Sequence, residues 1–201
     1  EGRIIFNNIR RFSTYLLSCN LGEVLVVGLA VLATLPLPLS PLQILFLNLV
    51  TDVFPAFALA AGEDKGDVLA RPPRPPKEPI LSNGQWRAIL AYGMAIAGST
   101  LLALVAATAW LGFSAEQGAT VSFLAIALAQ LWHVFNMRGR HSRLLHNVVT
   151  RNRFVWYTLA LCVALILSAV NISPLAEALA IAPIGIRGWA LSVGCSLLAL
   201  A

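Results

Sequence analysis

Long apolar stretches separated by short polar segments make up most of the chain. Six can be distinguished, at about residues 12–35, 41–61, 85–112, 119–137, 154–172 and 187–201. A helix that crosses a bilayer needs about 20 residues at about 1.5 Å each. The first five stretches meet this requirement, the fourth with help from its flanks. The sixth is either cut short or completed by further sequence.

The stretches are too long for membrane β-strands and show no alternation of apolar and polar residues. The pattern therefore predicts an all-α membrane protein, a bundle of six transmembrane helices that forms one domain over residues 1–201. Composition agrees, since 58% of residues are hydrophobic and 11% are charged, with a mean hydropathy of +0.79. These values exclude an ordinary soluble domain.

The basic residues predict the orientation in the membrane. Of the 14 Lys and Arg residues, 13 fall on one side of the predicted spans and only Arg187 falls on the other. The positive-inside rule then places the N-terminus and the basic loops in the cytoplasm. The net charge of +5 reflects this topology and does not indicate nucleic-acid binding. The residues on the cytoplasmic side are Arg3, Arg10, Arg11, Lys65, Arg71, Arg74, Lys77, Arg87, Arg138, Arg140, Arg143, Arg151 and Arg153.

Two further features concern the chain as a whole. It begins with Glu1 and has no signal-peptide layout, so we expect it to be a piece of a larger protein. Its cysteines, Cys19, Cys162 and Cys195, are scattered in apolar segments without metal-ligand spacing, which predicts buried free thiols.

The strongest functional signal is a pair of acids inside the first two apolar stretches, Glu23 and Asp52. A carboxylate is costly in a membrane and by default indicates function. Residues three or four apart share a helix face, so Asn20 accompanies Glu23, while Asn48 and Thr51 accompany Asp52. Carboxylate, amide and hydroxyl oxygens together suit a hard cation such as Ca²⁺, which takes about six to eight oxygen ligands.

Pro55 adds a further element to this site. It has no N–H for the carbonyl of Thr51, and its ring pushes that carbonyl aside. We therefore expect the second span to be broken, kinked or unwound near residues 51–55, with backbone oxygens exposed. The alternative interpretation of the polar residues is a structural network between helices. Neither span contains a Lys or Arg to pair with the acids, which favours the cation site.

The fourth span carries a polar stripe of Gln130, His133 and Asn136 at intervals of three residues. Gln130 is a candidate to add one neutral oxygen to the site, which a water molecule is able to replace, so we expect its loss to cost little. His133 has no second nitrogen or sulfur ligand spaced near it, so a hydrogen-bonding core residue is the better interpretation. The proline-rich segment 62–84 is either a spacer or a docking strip for a cytoplasmic domain.

With these motifs the chain resembles the C-terminal six-helix membrane region of P-type cation-transporting ATPases, in particular calcium pumps of the sarcoplasmic-reticulum type. The resemblance is specific over the first 80 residues, and residues 81–201 fit mainly by their span pattern. The matching segments are Glu1-Gly2-Arg3, Asn7-Asn8, Asn20-Leu21-Gly22-Glu23, Asn48-Leu49-Val50-Thr51-Asp52, Pro55-Ala56, Arg71-Pro72-Pro73-Arg74 and Lys77-Glu78-Pro79.

The resemblance implies roles for individual residues. In the family, the residues at the positions that match this site coordinate the transported ion. The family residue that matches Asp52 bridges both ions in pumps that carry two. It also implies that the proline-rich strip is the cytoplasmic loop near the phosphorylation domain. Gln130 stands where two-calcium pumps have a glutamate, which favours one ion per cycle. The implied ligands are Asn20, Glu23, Asn48, Thr51 and Asp52, with Gln130 as a neutral contributor.

Several expectations concern the parent protein. We expect it to move Ca²⁺, with Mn²⁺ or Na⁺ as alternatives, and to use ATP and Mg²⁺ in domains that this chain lacks. The chain has no Asp-Lys-Thr-Gly-Thr phosphorylation motif and should be inactive alone. Its expected partners are the lipid bilayer, the N-terminal helices and cytoplasmic domains of the pump, and the cation. A standalone membrane module, a structural or regulatory remnant, and a channel or secondary transporter stay open as alternatives.

Overall fold

The computed structural model describes residues 2–61, 79–138 and 147–200, and every regular element in these ranges is helical. Five helices there are long and apolar enough to cross a membrane, and a shorter apolar helix covers Gly185–Ala199. The prediction of an all-α membrane bundle is thus confirmed. The five spans are Ile4–Leu32, Pro41–Ala60, Asn83–Trp110, Ala115–Met137 and Arg153–Asn171.

We number the α-helices in chain order. They are α1 (Gly2–Leu32), α2 (Pro41–Leu47), α3 (Phe54–Ala60), α4 (Asn83–Val105), α5 (Ala115–His133), α6 (Arg153–Asn171), α7 (Ser173–Ala178) and α8 (Gly185–Ser196). π-Helical turns follow α2 at Asn48–Val53 and α4 at Ala106–Trp110, and 3₁₀ turns follow α5 at Val134–Met137 and α8 at Leu197–Ala199.

Local sequence explains where several spans begin. Ser40 and Ser114 form capping boxes with a glutamine three residues later, so their hydroxyls accept backbone N–H groups that a helix leaves free at its start. Pro41 adds a preset φ at the first position of α2. Asn152 caps α6 through the backbone N–H of Phe154.

The centre of the bundle is α5, in which every residue from Thr120 to Leu131 is buried. It packs against α4 and α8, while α1 packs along α4. By contrast, α6 is peripheral and exposes large apolar side chains such as Phe154 and Leu161. The three cysteines are free and buried, as predicted.

Hydrogen bonds define the two ends of the bundle. At one end, Asn8 and Asn152 donate to the carbonyls of Ala60 and Ala58, and Arg10 donates to the carbonyl of Ile80. At the other end, Gln43 donates to the carbonyl of Leu179 and Gln117 to that of Pro183. The described segments that carry Arg10, Arg138 and Arg151 therefore gather at the first end, whereas the side of the membrane on which this end lies stays a prediction.

Residues 62–78, with most of the proline-rich strip, lie outside the described ranges, so both interpretations of that strip stay open.

Candidate cation-binding site

The second span contains the π-helical turn Asn48–Val53 between α2 and α3. The flanking residues Leu47 and Phe54 keep right-handed helical dihedral angles. The interruption expected near Pro55 thus takes the form of a widened turn in a continuous helix, and the chain is not unwound there. π-Helical turns are rare in proteins, and those that occur often lie at functional sites.

Pro55 has no N–H to offer the carbonyl four residues back, which belongs to Thr51, or the one five back, which belongs to Val50. Side chains from two other helices meet both carbonyls. The hydroxyl of Tyr15 on α1 donates to the carbonyl oxygen of Thr51 at 2.6 Å, and the thiol of Cys162 on α6 lies 3.1 Å from that of Val50. The backbone oxygens that the sequence expects to be exposed are therefore hydrogen-bonded to protein donors.

The two acids are both buried, with 4% of Glu23 and 3% of Asp52 exposed. The amide of Asn20 donates to Oδ2 of Asp52 at 3.1 Å. The other oxygen, Oδ1, is buried and has no hydrogen-bond partner among the described residues. A buried carboxylate oxygen without a donor is costly, so this atom marks a position where a positive group is favoured.

Gln130 on α5 joins the two acidic helices. Its side chain is fully buried, and its Nε2 donates to Oε1 of Glu23 at 2.9 Å. Its Oε1 lies 2.5 Å from the hydroxyl oxygen of Thr51. That hydroxyl is also 2.9 Å from the carbonyl oxygen of Leu47, and its single proton serves one of the two acceptors.

Five of the six predicted site residues thus take part in hydrogen bonds with one another, in two groups: Asn20 with Asp52, and Gln130 with Glu23 and Thr51. Asn48 lies half-buried in the same π-helical turn, but within the described part of the chain no hydrogen bond joins its side chain to the others. Asn20 is exposed, so the cluster is closed on the side of α5 and open at Asn20. The linked residues are Asn20, Glu23, Thr51, Asp52 and Gln130.

The charge of this cluster is one-sided. No Lys or Arg occurs between residues 12 and 61, and Glu23 lies close enough to Asp52 to repel it electrostatically. Among the described residues, no three His, Cys, Asp or Glu side chains are placed so that they could hold a metal ion by themselves. The available donors are therefore two carboxylates with amide and hydroxyl oxygens. This set fits a hard cation and not a soft metal.

His133 belongs to the core, in line with the sequence-based interpretation. Its ring is fully buried, stacks on Tyr15 with centroids 5.5 Å apart and lies 4.7 Å from the ring of Tyr92. Its Nδ1 is 3.2 Å from the amide nitrogen of Asn136, which also donates to the carbonyl of Ala199. His133 therefore supports Tyr15 and does not enter the acidic cluster.

Sequence reasoning missed Tyr15 and Cys162. Tyr15 carries a readable signal, because Tyr15, Cys19 and Glu23 follow at intervals of four and so share one helix face. Cys162 carries none, since its contact is with a residue 112 positions away.

Comparisons with known proteins show a family and two relatives to which this chain is similar. A family model described as "Cation transporting ATPase, C-terminus" matches residues 36–201. The chain is 42% identical over 154 residues, 77% of its length, to a calcium-transporting ATPase of Bacillus subtilis (strain 168). It is 29% identical over 204 residues, 94% of its length, to calcium-transporting ATPase 1 of Bacillus cereus (strain ATCC 10987 / NRS 248). The chain spans only 17% and 23% of the lengths of these two relatives.

Proposed function

The chain belongs to the cation-transporting ATPases, whose C-terminal region it matches over most of its length, and we propose that it supplies the ion-coordinating residues of an ATP-driven calcium pump. The observation that carries this proposal is the buried, unpartnered Oδ1 of Asp52 beside Glu23, in a stretch without basic residues. Two uncompensated carboxylates in a membrane need a cation, and the cargo of a pump provides one.

The proposed ligands have different roles. Glu23 and Asp52 supply negative charge, and their carboxylate oxygens replace water molecules around the ion. Thr51, Asn20 and Asn48 supply neutral oxygens from the neighbouring turns. Gln130 bridges Glu23 and Thr51 and adds a neutral oxygen of its own. The ligand set is Asn20, Glu23, Asn48, Thr51, Asp52 and Gln130.

We propose Ca²⁺ as the transported ion, with Mn²⁺ as its closest competitor. All proposed donors are oxygens, and side chains from three helices form an irregular shell. Such a shell suits Ca²⁺ better than Mg²⁺, which demands near-ideal octahedral geometry. The printed names of the two relatives are consistent with this choice, since both are called calcium-transporting ATPases. Na⁺ is the less favoured alternative, because it needs only one of the two negative charges.

We further propose one ion per cycle. A second divalent ion needs further negative charge nearby, and the buried residue on α5 that faces Glu23 is the neutral Gln130. The cluster therefore holds two negative charges, enough for one divalent cation.

The rest of the pump completes this function. In the proposed arrangement, the N-terminal membrane helices cover the open side at Asn20, and the cytoplasmic domains bind ATP and Mg²⁺ and take up the phosphoryl group. The bilayer surrounds the bundle, and the N-terminus and basic loops face the cytoplasm. In this arrangement the chain holds the residues of the ion pathway in place, and ATP hydrolysis belongs to the cytoplasmic domains.

Equilibrium binding of radioactive calcium to the full-length pump tests the proposal. We expect one ion per wild-type molecule. We expect Asp52→Asn to weaken binding by roughly 100-fold or more, because it removes one of two buried charges that face the ion. Glu177→Gln is the matched control, since it makes the same chemical change at an exposed position on α7 and should leave binding unchanged.

Other outcomes contradict the proposal in distinct ways. Two ions per wild-type molecule refute the stoichiometry. Unchanged calcium affinity in Asp52→Asn favours the alternative, in which the cluster is a structural network between helices. ATPase activity that responds to Na⁺ or K⁺ but not to Ca²⁺ overturns the choice of ion.

A further inference from the structure

Cys162 lies on α6, which packs against the second span, and its thiol contacts the π-helical turn through the carbonyl of Val50. We propose that Cys162 is a positioning residue for ion binding. Its S–H donates to the Val50 carbonyl oxygen and holds the turn Asn48–Val53 in the register in which Asp52 and Thr51 meet the other ligands. This inference rests on the function proposed above.

The turn needs an outside donor because of Pro55. An α-helical register assigns the N–H of residue 55 to the carbonyl of Thr51, and a π-helical register assigns it to that of Val50. Proline serves neither. Tyr15 meets the first carbonyl from α1 and Cys162 meets the second from α6, so donors from two different helices hold the turn.

The contact lies close to the site in sequence as well as in space. Val50 immediately precedes Thr51 and Asp52, and all three are buried. Residues on a helix are about 100° apart around the axis, so a change of register turns the side chains that follow it by a comparable angle. Without the thiol, the α-helical register of this turn competes with the π-helical one. In the α-helical register, Asp52 turns away from the position in which it accepts the hydrogen bond of Asn20.

The buried face of α6 singles out the thiol. The helix buries one stripe at alternating intervals of four and three residues, which is the spacing of a helix packed along one face. Cys162 is the middle member of this stripe and the only one with a polar side-chain atom. The stripe consists of Val155, Leu159, Cys162, Ile166 and Ala169.

Infrared spectroscopy of the full-length pump tests the bond directly. The S–H stretching band of Cys162 is assigned by its disappearance in Cys162→Ser. Hydrogen bonding weakens the S–H bond, so we expect this band at a lower frequency than that of Cys195, a buried thiol on α8. Equal frequencies for the two bands overturn the inference, whatever the pump transports.

Calcium binding and calcium-activated ATP hydrolysis test the positioning role. Cys162→Ala removes the donor, whereas Cys162→Ser keeps one of similar size. We expect the calcium concentration for half-saturation to rise about three- to tenfold in Cys162→Ala and to stay within about twofold of wild type in Cys162→Ser, as suits a single hydrogen bond. The maximal rate at saturating calcium should not change, and Cys195→Ala is the matched control.

The possible failures are distinguishable. If the wild-type pump binds calcium and Cys162→Ala binds it equally well, the inference is wrong while the proposed function stands. The same conclusion follows if Cys162→Ser is as weak as Cys162→Ala, because rescue by a hydroxyl separates a donor from a packing residue. If the wild type binds no calcium, the proposed function fails and this inference fails with it.

Discussion

Gln130 shows how a single residue takes its meaning from its partners. Taken by itself, it is a neutral amide on an apolar helix that offers at most one oxygen. In the bundle it is fully buried, donates to Glu23 and accepts from Thr51. Removing its side chain takes the donor from the buried carboxylate of Glu23, while the Thr51 hydroxyl still reaches the carbonyl of Leu47, and a hydrogen bond to a charged group is among the stronger ones. The structure therefore changes the expectation that its loss costs little.

We now expect Gln130→Ala to weaken calcium binding by about 10- to 100-fold, because it removes one proposed ligand oxygen and the bridge that holds Glu23 beside Thr51, and a hydrogen bond to a charged group contributes on the order of 1.5–3 kcal/mol. Gln130→Met, which keeps the volume and removes the hydrogen bonds, should behave in the same way. Asn171→Ala, an exposed amide on α6, is the control. Equilibrium calcium binding measures all three variants, and wild-type affinity in Gln130→Met would show that the bridge is not needed.

At the scale of helices, the position of Glu23 depends on how closely α1 approaches α4. Gly22 makes this approach possible, because a Cβ atom there would lie 2.9 Å from Cγ2 and 3.2 Å from Cβ of Ile96. Gly93 on α4 lies equally close to α1, because a Cβ atom there would lie 3.0 Å from the side chain of Leu21. Small residues commonly permit such close contact between membrane helices. Since Glu23 follows Gly22, a shift of α1 moves the carboxylate too.

Gly22→Ala tests this packing. Ile96 is fully buried and β-branched, so its Cβ cannot move without its backbone. We expect the substitution to destabilise the bundle by about 1–3 kcal/mol through overpacking and to weaken calcium binding. Gly28→Ala is a matched control on the same helix, where nothing lies within 4 Å of the new methyl group. Thermal unfolding in detergent and equilibrium calcium binding are measured for Gly22→Ala and Gly28→Ala. Equal stability of both variants would contradict the packing argument.

At the scale of the whole molecule, the bundle has two distinct ends. Contacts at one end join segments near residues 8, 58–60, 80 and 152, and contacts at the other join segments near residues 43, 117, 179 and 183. Each long span therefore runs opposite to its predecessor, as the predicted topology requires. Most basic residues of the described segments lie at the first end, which the positive-inside rule assigns to the cytoplasm.

Cysteine labelling in intact cells tests the orientation. Arg151→Cys and Ser173→Cys place an exposed thiol at opposite ends of α6. In a cysteine-free background of the full-length pump, we expect an impermeant maleimide to label Ser173→Cys from outside. Arg151→Cys should react only after permeabilisation. The reverse pattern would place the basic end outside and refute the assignment.

The sequence by itself determined the class of protein and the apolar spans, and it predicted most of the residues of the candidate site. The bilayer makes polar groups costly, so the requirement for apolar helices and the exceptional acids at Glu23 and Asp52 are written into local composition. Helical spacing then assigned Asn20 and Thr51 to the faces of these acids, and hydrogen bonds join both to the cluster. Each of these inferences needs only residues within a few turns of one another.

Only the tertiary structure decided what the proline does and how the cluster is held. A missing N–H at Pro55 is compatible with a kink, an unwound segment or a π-helical turn, and the choice depends on which donors reach the freed carbonyls. These donors are Tyr15 and Cys162, which lie 36 and 112 residues away in the chain. Gln130 likewise meets Glu23 across 107 residues. Local patterns do not encode such meetings, because they arise from how separate helices pack against one another.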